Sequence, residues 1–325
     1  MSPRSLLLAP ILLPLFAFAA GDAAAYTAYV TNEKDNTISV VDLDKMETVK
    51  TIPVGERPRG ILLSKDKKFI YVCNGDADHI EEINLDTLQI DRTLDSGPDP
   101  ELFAIDQKGT RLYIANEDNA MVTALDLAPG STPQEIQVGV EPEGMAVSPD
   151  DKYLVATSET TSMAHFVDLA TLQVVASVLV DSRPRFAAFT PDGKYVLVSS
   201  EIGGTVSVID VATKKIIKTI GFAIPGVDKP TIQAVGINIT ADGKTAFVAL
   251  GPANRVAVID TATFEVVKYL LVGRRVWQLA LTPDGSQLFT TNGLSNDVSI
   301  IDVASLEVLR STPVGRMPWG VAIRP

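Results

Sequence analysis

The chain has 325 residues, 46% of them hydrophobic, with 28 basic against 40 acidic side chains and a net charge of −12. That balance repels polyanions and argues against nucleic acid and anionic membrane surfaces as partners. One cysteine, Cys73, and two histidines, His79 and His165, exclude an internal disulfide, covalent haem attachment and a three-histidine zinc set.

The N-terminal stretch stands apart. Arg4 is followed by an uncharged run from Leu6 to Ala20 and then by Ala23-Ala24-Ala25. A positive start, an apolar middle and an A-x-A site predict a secretory signal over residues 1–25 and a periplasmic mature protein. Pro10 and Pro14 interrupt the run, which is shorter than the ~20 residues a spanning helix needs. Residues 26–325 are expected to form one domain.

From Ala28 onward the chain repeats. AYVTN starts at Ala28, IYVCN at Ile70, LYIAN at Leu112, LVATS at Leu154, VLVSS at Val196, AFVAL at Ala246 and LFTTN at Leu288, with steps of 42 residues and one of 50. Asp42, Asn84, Asp126, Asp168, Asp210, Asp260 and Asp302 keep the same register. Each copy reads as four short strands separated by turns, as in Val196–Ser200, Val206–Asp210, Lys215–Ile220 and Val235–Ile239. A period in the forties with four strands per unit predicts an all-β, seven-bladed propeller. The aspartate column is read as turn residues.

The chain starts on the second strand of a blade, at Ala28–Asn32, and stops on an inner one, at Gly320–Ile323. The two ends are therefore expected to share a blade in a three-plus-one clasp, which leaves no open edge. Two copies deviate. Ala128–Pro133 lengthens a turn in blade 3, and eight extra residues fall in Gly221–Pro230. That second insertion reads equally as a lid or docking loop and as a segment packed on its own blade.

In a propeller the loops leading into the inner strands gather at one mouth of the channel. The column before the inner-strand glycines holds Arg59, Glu101, Glu143, Arg185, Val235, Trp277 and Trp319; two positions earlier come Arg57, Asp99, Glu141, Arg183, Gln233, Arg275 and Met317. Arg57, Arg59, Glu101, Glu143, Arg183, Arg185, Arg275, Trp277 and Trp319 are the candidate ligand- or partner-binding residues. Guanidinium groups grip carboxylates in pairs of hydrogen bonds and indoles stack on flat rings, which suits a planar anion. The plainer reading pairs these arginines with Asp99, Glu101, Glu141 and Glu143. Cys73 reads as a buried thiol, and the acidic loops at Glu33, Asp76 and Glu117 as solvated charge rather than calcium ligands. No metal site or catalytic set is assigned.

Tyr29-Val-Thr-Asn32, Ile38-Ser-Val-Val-Asp42, Pro53-Val-Gly55 and Thr190-Pro-Asp-Gly193 resemble the YVTN-type β-propeller repeat family over the whole mature chain. The stretch AYVTNEKDNTISVVDLDKMETVKTIPVGERPRGI is similar to a subgroup named for association with pyrroloquinoline quinone-dependent catabolism. The resemblance implies a non-catalytic exported scaffold beside quinoprotein alcohol oxidation or a transport system, holding a partner protein or a small carboxylate at the mouth. No cofactor is expected; pyrroloquinoline quinone is the one the resemblance admits. The alternatives are a lactonase-like hydrolase, for which the mouth lacks a histidine titrating near neutral pH, and a single-stranded DNA binder, which −12 disfavours.

Overall fold

The computed structural model describes residues 26–325; the expected signal at 1–25 lies outside the described residues. Seven four-stranded antiparallel sheets form the blades of a closed propeller. Blade 1 draws on both chain ends. Thr27–Asn32, Thr37–Asp42 and Glu47–Pro53 are completed on the inner side by Pro318–Arg324. Thr27 lies opposite Arg324 and Val30 opposite Val321, so the clasp is the one expected from the sequence.

The other inner strands are Pro58–Leu63, Pro100–Ile105, Pro142–Val147, Pro184–Phe189, Ile237–Ile239 and Val276–Leu281, opening blades 2 to 7. Each packs on the inner strand of the next blade, and the last packs on Pro318–Arg324. Glycines make this approach possible. A Cβ on Gly320 would lie 2.5 Å from the Arg59 carbonyl oxygen, and one on Gly236 2.7 Å from that of Trp277.

The core lies between blades. Tyr29, Ile38 and Val40 of blade 1 pack with Ile70, Val72 and Ile83 of blade 2, and the pattern recurs around the ring. A second strand such as Phe69–Asn74 is buried on both faces and so reads as a near-continuous apolar run. Outer strands such as Glu47–Pro53 are almost wholly exposed.

The aspartate column makes turns. Asp42 Oδ1 accepts the backbone N–H groups of Asp44 and Lys45, and Asp168, Asp210, Asp260 and Asp302 act alike. Asp126 departs from the pattern because the longer Ala128–Pro133 loop follows it. It takes the Arg111 guanidinium instead, at 2.5 and 2.9 Å. Blades are also latched to one another: Asn36, Asp78, Asn254 and Asn296 each accept, at 2.8–3.1 Å, the N–H of the residue leading into the next inner strand.

The insertion at Gly221–Pro230 packs on its own blade. Phe222 is buried, Ile224 and Val227 join the cluster of Ile237, Ala257 and Phe264, and Ala223 N–H donates to Tyr269 Oη at 3.0 Å. Of the two readings of this segment, the structure favours the packed one.

Candidate functional site

All nine mouth residues lie where inner strands begin, so the closed ring brings together side chains more than 250 positions apart. Arg57, Arg183 and Arg275 sit in the left-handed region, with φ of 54°, 58° and 58°, in the tight turns that feed those strands. The Trp277 and Trp319 rings lie 6.3 Å apart, tilted by 30°. Arg59 Cζ is 5.9 Å from the Trp319 ring across the clasp, and Arg275 Cζ is 4.0 Å from the Trp277 ring. Both are cation–π distances.

The charges form two clusters. On one side Glu101, fully buried, accepts from Arg59 at 2.7 Å and Arg57 at 2.9 Å through Oε1. Arg59 also donates to Glu33 at 3.2 Å, and Arg57 pairs with Asp76 at 2.6 Å and with Asp99. Burial works against the Glu101 charge, but Arg59 and then Arg57 outweigh it and hold the carboxyl below its usual range. Across the channel Arg185 pairs with Glu159 and reaches Glu201 at 3.7 Å, while Arg275 bonds Glu201 at 2.8 Å and Gln233 at 2.6 Å. Arg183 pairs with Glu159 at 2.7 Å and Glu201 at 3.4 Å, not with Glu141, which accepts from Thr160 instead.

Glu143 lies between the clusters. Arg185 Nη2 is 3.1 Å from its Oε1, but the approach is not aligned as a hydrogen bond, and neither Glu143 oxygen has a hydrogen-bond partner among the described residues. Burial pushes this carboxyl well above its usual range despite the Arg185 charge. Glu101 Oε2 and Trp319 Nε1 are buried and unpartnered at the same hub.

Sequence reading missed one whole column. The first residue of each second-to-third loop is Glu33, Gly75, Glu117, Glu159, Glu201, Gly251 or Gly293. The loops at Glu33 and Glu117 were expected to carry solvated charge. Instead Glu33, Glu159 and Glu201 are buried against arginines, because these loops fold over the mouth. The glycines are the complement: a Cβ on Gly75 would strike the Arg57 guanidinium, and one on Gly293 would lie 2.6 Å from Trp277 Nε1. Glutamate or glycine every 42 residues, opposite arginine or tryptophan, is the signal that identifies the column.

Glu117 is the member that lacks an arginine partner. It opens a short 3-10 turn, Glu117–Asn119, and is half-buried. Its carboxylate, that of Glu101 and that of Asp99 offer oxygens within 4.8 Å of one another. Burial first, and then the charge and hydrogen bonding of Glu101, push its carboxyl up to about 7. The mouth thus holds a group titrating at neutral pH without any histidine. His79 and His165 lie elsewhere: His165 accepts from Gly139 N–H at 3.0 Å and meets Ser177 Oγ at 2.8 Å, and His79 meets Ala77 O at 2.7 Å. Cys73 is buried, and burial raises its thiol pKa.

A seven-bladed lactonase family model matches residues 16–134. Among solved structures, the periplasmic gluconolactonase PpgL of Pseudomonas aeruginosa aligns with TM-score 0.78 and 18% identity over 93% of this chain and 99% of that one. A putative 6-phosphogluconolactonase of Bacteroides uniformis aligns with TM-score 0.78 and 16% identity over 93% and 100%. Hydrazine synthase of Kuenenia stuttgartiensis aligns with TM-score 0.77 and 20% identity over 90% and 99%. At these identities the structural likeness shows the fold. Comparison with curated proteins gives no match. These findings favour the lactonase-like alternative, and the expectation of a non-catalytic scaffold serving quinoprotein metabolism or transport is corrected accordingly. The closeness to the quinone-associated subgroup is not carried by these matches. A second family model, for YNCE-like β-propellers, matches residues 94–283, more than half of the chain. The chain belongs to the YNCE-like β-propeller family.

Proposed function

We propose that this protein is an exported hydrolase of lactones, acting at the channel mouth. The observation that carries the reading is Glu117: a half-buried carboxyl at about 7, beside Glu101 and within the field of Arg59. Opening a lactone needs a base to take a proton from water, a positive group for the carbonyl oxygen, and an acid for the departing ring oxygen. Ionised Glu117 accepts the water proton as the hydroxyl adds to the carbonyl carbon. Arg59 faces the developing oxyanion. Its Nε and Nη1 are committed to Glu33 and Glu101, which orient the guanidinium, and Nη2 has no partner among the described residues. As the ring C–O bond breaks, Glu117 returns its proton to the leaving oxygen, and the product is the hydroxy acid. Arg183, the most exposed of the mouth arginines, is placed to meet an anionic substituent on the substrate.

The lactonase family match and the lactonase-named structures support the reaction class. The positive, apolar and A-x-A pattern of residues 1–25 supports the periplasmic address. The stretch from Ala28 to Ile61 supports placing the chain near the quinone-associated subgroup, and that placement assigns no cofactor to the mouth. The test is indicator-monitored acid release from a panel of γ- and δ-lactones, neutral and phosphorylated. Wild type is expected to exceed spontaneous hydrolysis on at least one and Glu117→Gln on none. A panel that wild type leaves at the spontaneous rate refutes the proposal.

A further inference from the structure

The inner strands run from the mouth to a second opening. Lys65 follows the inner strand that Arg59 begins, so the two lie about 20 Å apart at ~3.3 Å per residue. At the Lys65 end the channel widens into a cavity of about 330 Å³. Ile61, Phe103, Met145, Phe186, Leu279 and Val321 line it, and the buried Trp319 closes its inner end.

Two polar side chains give the space its chemistry, one within it and one at its rim. Gln278 is 8% exposed; among the described residues its side-chain amide has no hydrogen-bond partner, and the amide is reached from the cavity it lines. Its own backbone is satisfied: N–H donates to Thr291 Oγ1 at 3.0 Å and C=O accepts from the same hydroxyl at 3.5 Å. At the rim, Lys65 has no carboxylate partner among the described residues and reaches only Gln107 Oε1 at 3.3 Å, in a chain with excess acid. Gln278 occupies the column of Gly60, five positions before Lys65, which separates the two groups by ~16 Å along the channel.

We propose that this funnel is a second binding site, distinct from the mouth, for a medium-chain aliphatic acid bearing a hydroxyl at the far end. The hydroxyl both donates to and accepts from the Gln278 amide, the chain fills the apolar wall, and the carboxylate meets Lys65 at the rim. The site does not depend on the hydrolase reading.

The protein carries two tryptophans, and Trp319 forms the end of the funnel, so intrinsic fluorescence reports occupancy directly. The probes are a medium-chain ω-hydroxy acid, the same acid without the hydroxyl, and the matching diol. The hydroxy acid is expected to change the emission saturably and to bind about tenfold more tightly than either control, a difference of ~1.4 kcal/mol. Gln278→Leu removes its advantage over the plain acid, Lys65→Gln removes its advantage over the diol, and Glu117→Gln at the opposite end binds as wild type does. No saturable change with any probe, equal affinity for all three, or a folded Gln278→Leu variant that keeps the preference overturns the proposal and leaves a cavity holding solvent only.

Discussion

Replacing Glu117 by glutamine sets stability and activity against each other. Glu117 moves from an ordinary 4.5 to about 7 in the folded protein. An acid whose folded value exceeds its unfolded one binds more protons in the native state between those two values. Stability therefore falls as pH rises from about 4.5 through 7, and the full penalty is present above 7. Fully transmitted, the displacement costs ~3 kcal/mol. Glu117 is only half-buried, and water screens the interaction, so ~1–2 kcal/mol is the appropriate figure. Glutamine fills the same volume without a charge. Glu117→Gln is therefore expected to melt about 2–4 °C higher than wild type at pH 8, with the difference gone at pH 4.5 or below. The same change removes the base, so lactone hydrolysis falls by ~10²–10⁴-fold, while the wild-type rate rises with pH through 7 as Glu117 ionises. Calorimetric scans at the two pH values and an initial-rate profile check both halves. Equal melting temperatures at pH 8, or a variant less stable there, refute the electrostatic argument whatever the activity shows.

Other perturbations probe the frame. Arg185→Ala removes a buried charged hydrogen bond to Glu159 and the cation nearest Glu143, while Glu159 keeps Arg183 and Glu201 keeps Arg275; it should cost ~1.5–3 kcal/mol in urea unfolding, more than removing an exposed pair such as Lys218–Glu265, at ~0–1. Gly320→Ala places a Cβ 2.5 Å from the Arg59 carbonyl and should destabilise by ~1–3 kcal/mol, whereas Gly221→Ala, with nothing within 4 Å and no positive φ, should be neutral or slightly stabilising in the same denaturation series. Truncation after Thr312 removes Pro318–Arg324 and exposes the inner edge of Thr27–Asn32; the expected result is a chain that elutes as aggregate, and a monomer with native melting would show that the clasp is dispensable.

The ring was legible because its cause is periodic. Strand, turn and glycine columns recur with each blade, so seven copies confirm one another, and even the shared blade follows from where Ala28 and Ile323 fall in the repeat. The mouth residues were found for the same reason. The chemistry was not, because it depends on what differs between copies. Glu33, Glu117, Glu159 and Glu201 occupy one column and look alike in sequence. Three of them meet arginines, while Glu117 meets another carboxylate, and that difference needs the neighbouring blade in place. Exposure was misjudged for the same reason. A charged loop residue reads as solvated until the next blade's arginine is seen to cover it.

The hub itself argues for function on energetic grounds. Apolar side chains of similar volume in place of a buried ion pair are often neutral or stabilising, since desolvation offsets most of the attraction. A wheel selected only to stay closed would thus gain from aliphatic residues where Arg59, Glu101, Glu143 and Arg185 stand. This one keeps all four and leaves Glu143, beside Arg185, without an aligned hydrogen bond. A buried carboxyl without an aligned hydrogen bond costs ~1–3 kcal/mol, of which the Arg185 charge beside Glu143 returns only a part. A ligand with several hydroxyl or carbonyl oxygens, bound at the hub, would return the rest. Saturating such a ligand should then raise the melting temperature of wild type by more than that of Glu143→Leu, in which the unpartnered acid is gone; equal shifts in the two proteins would separate the hub charges from binding altogether.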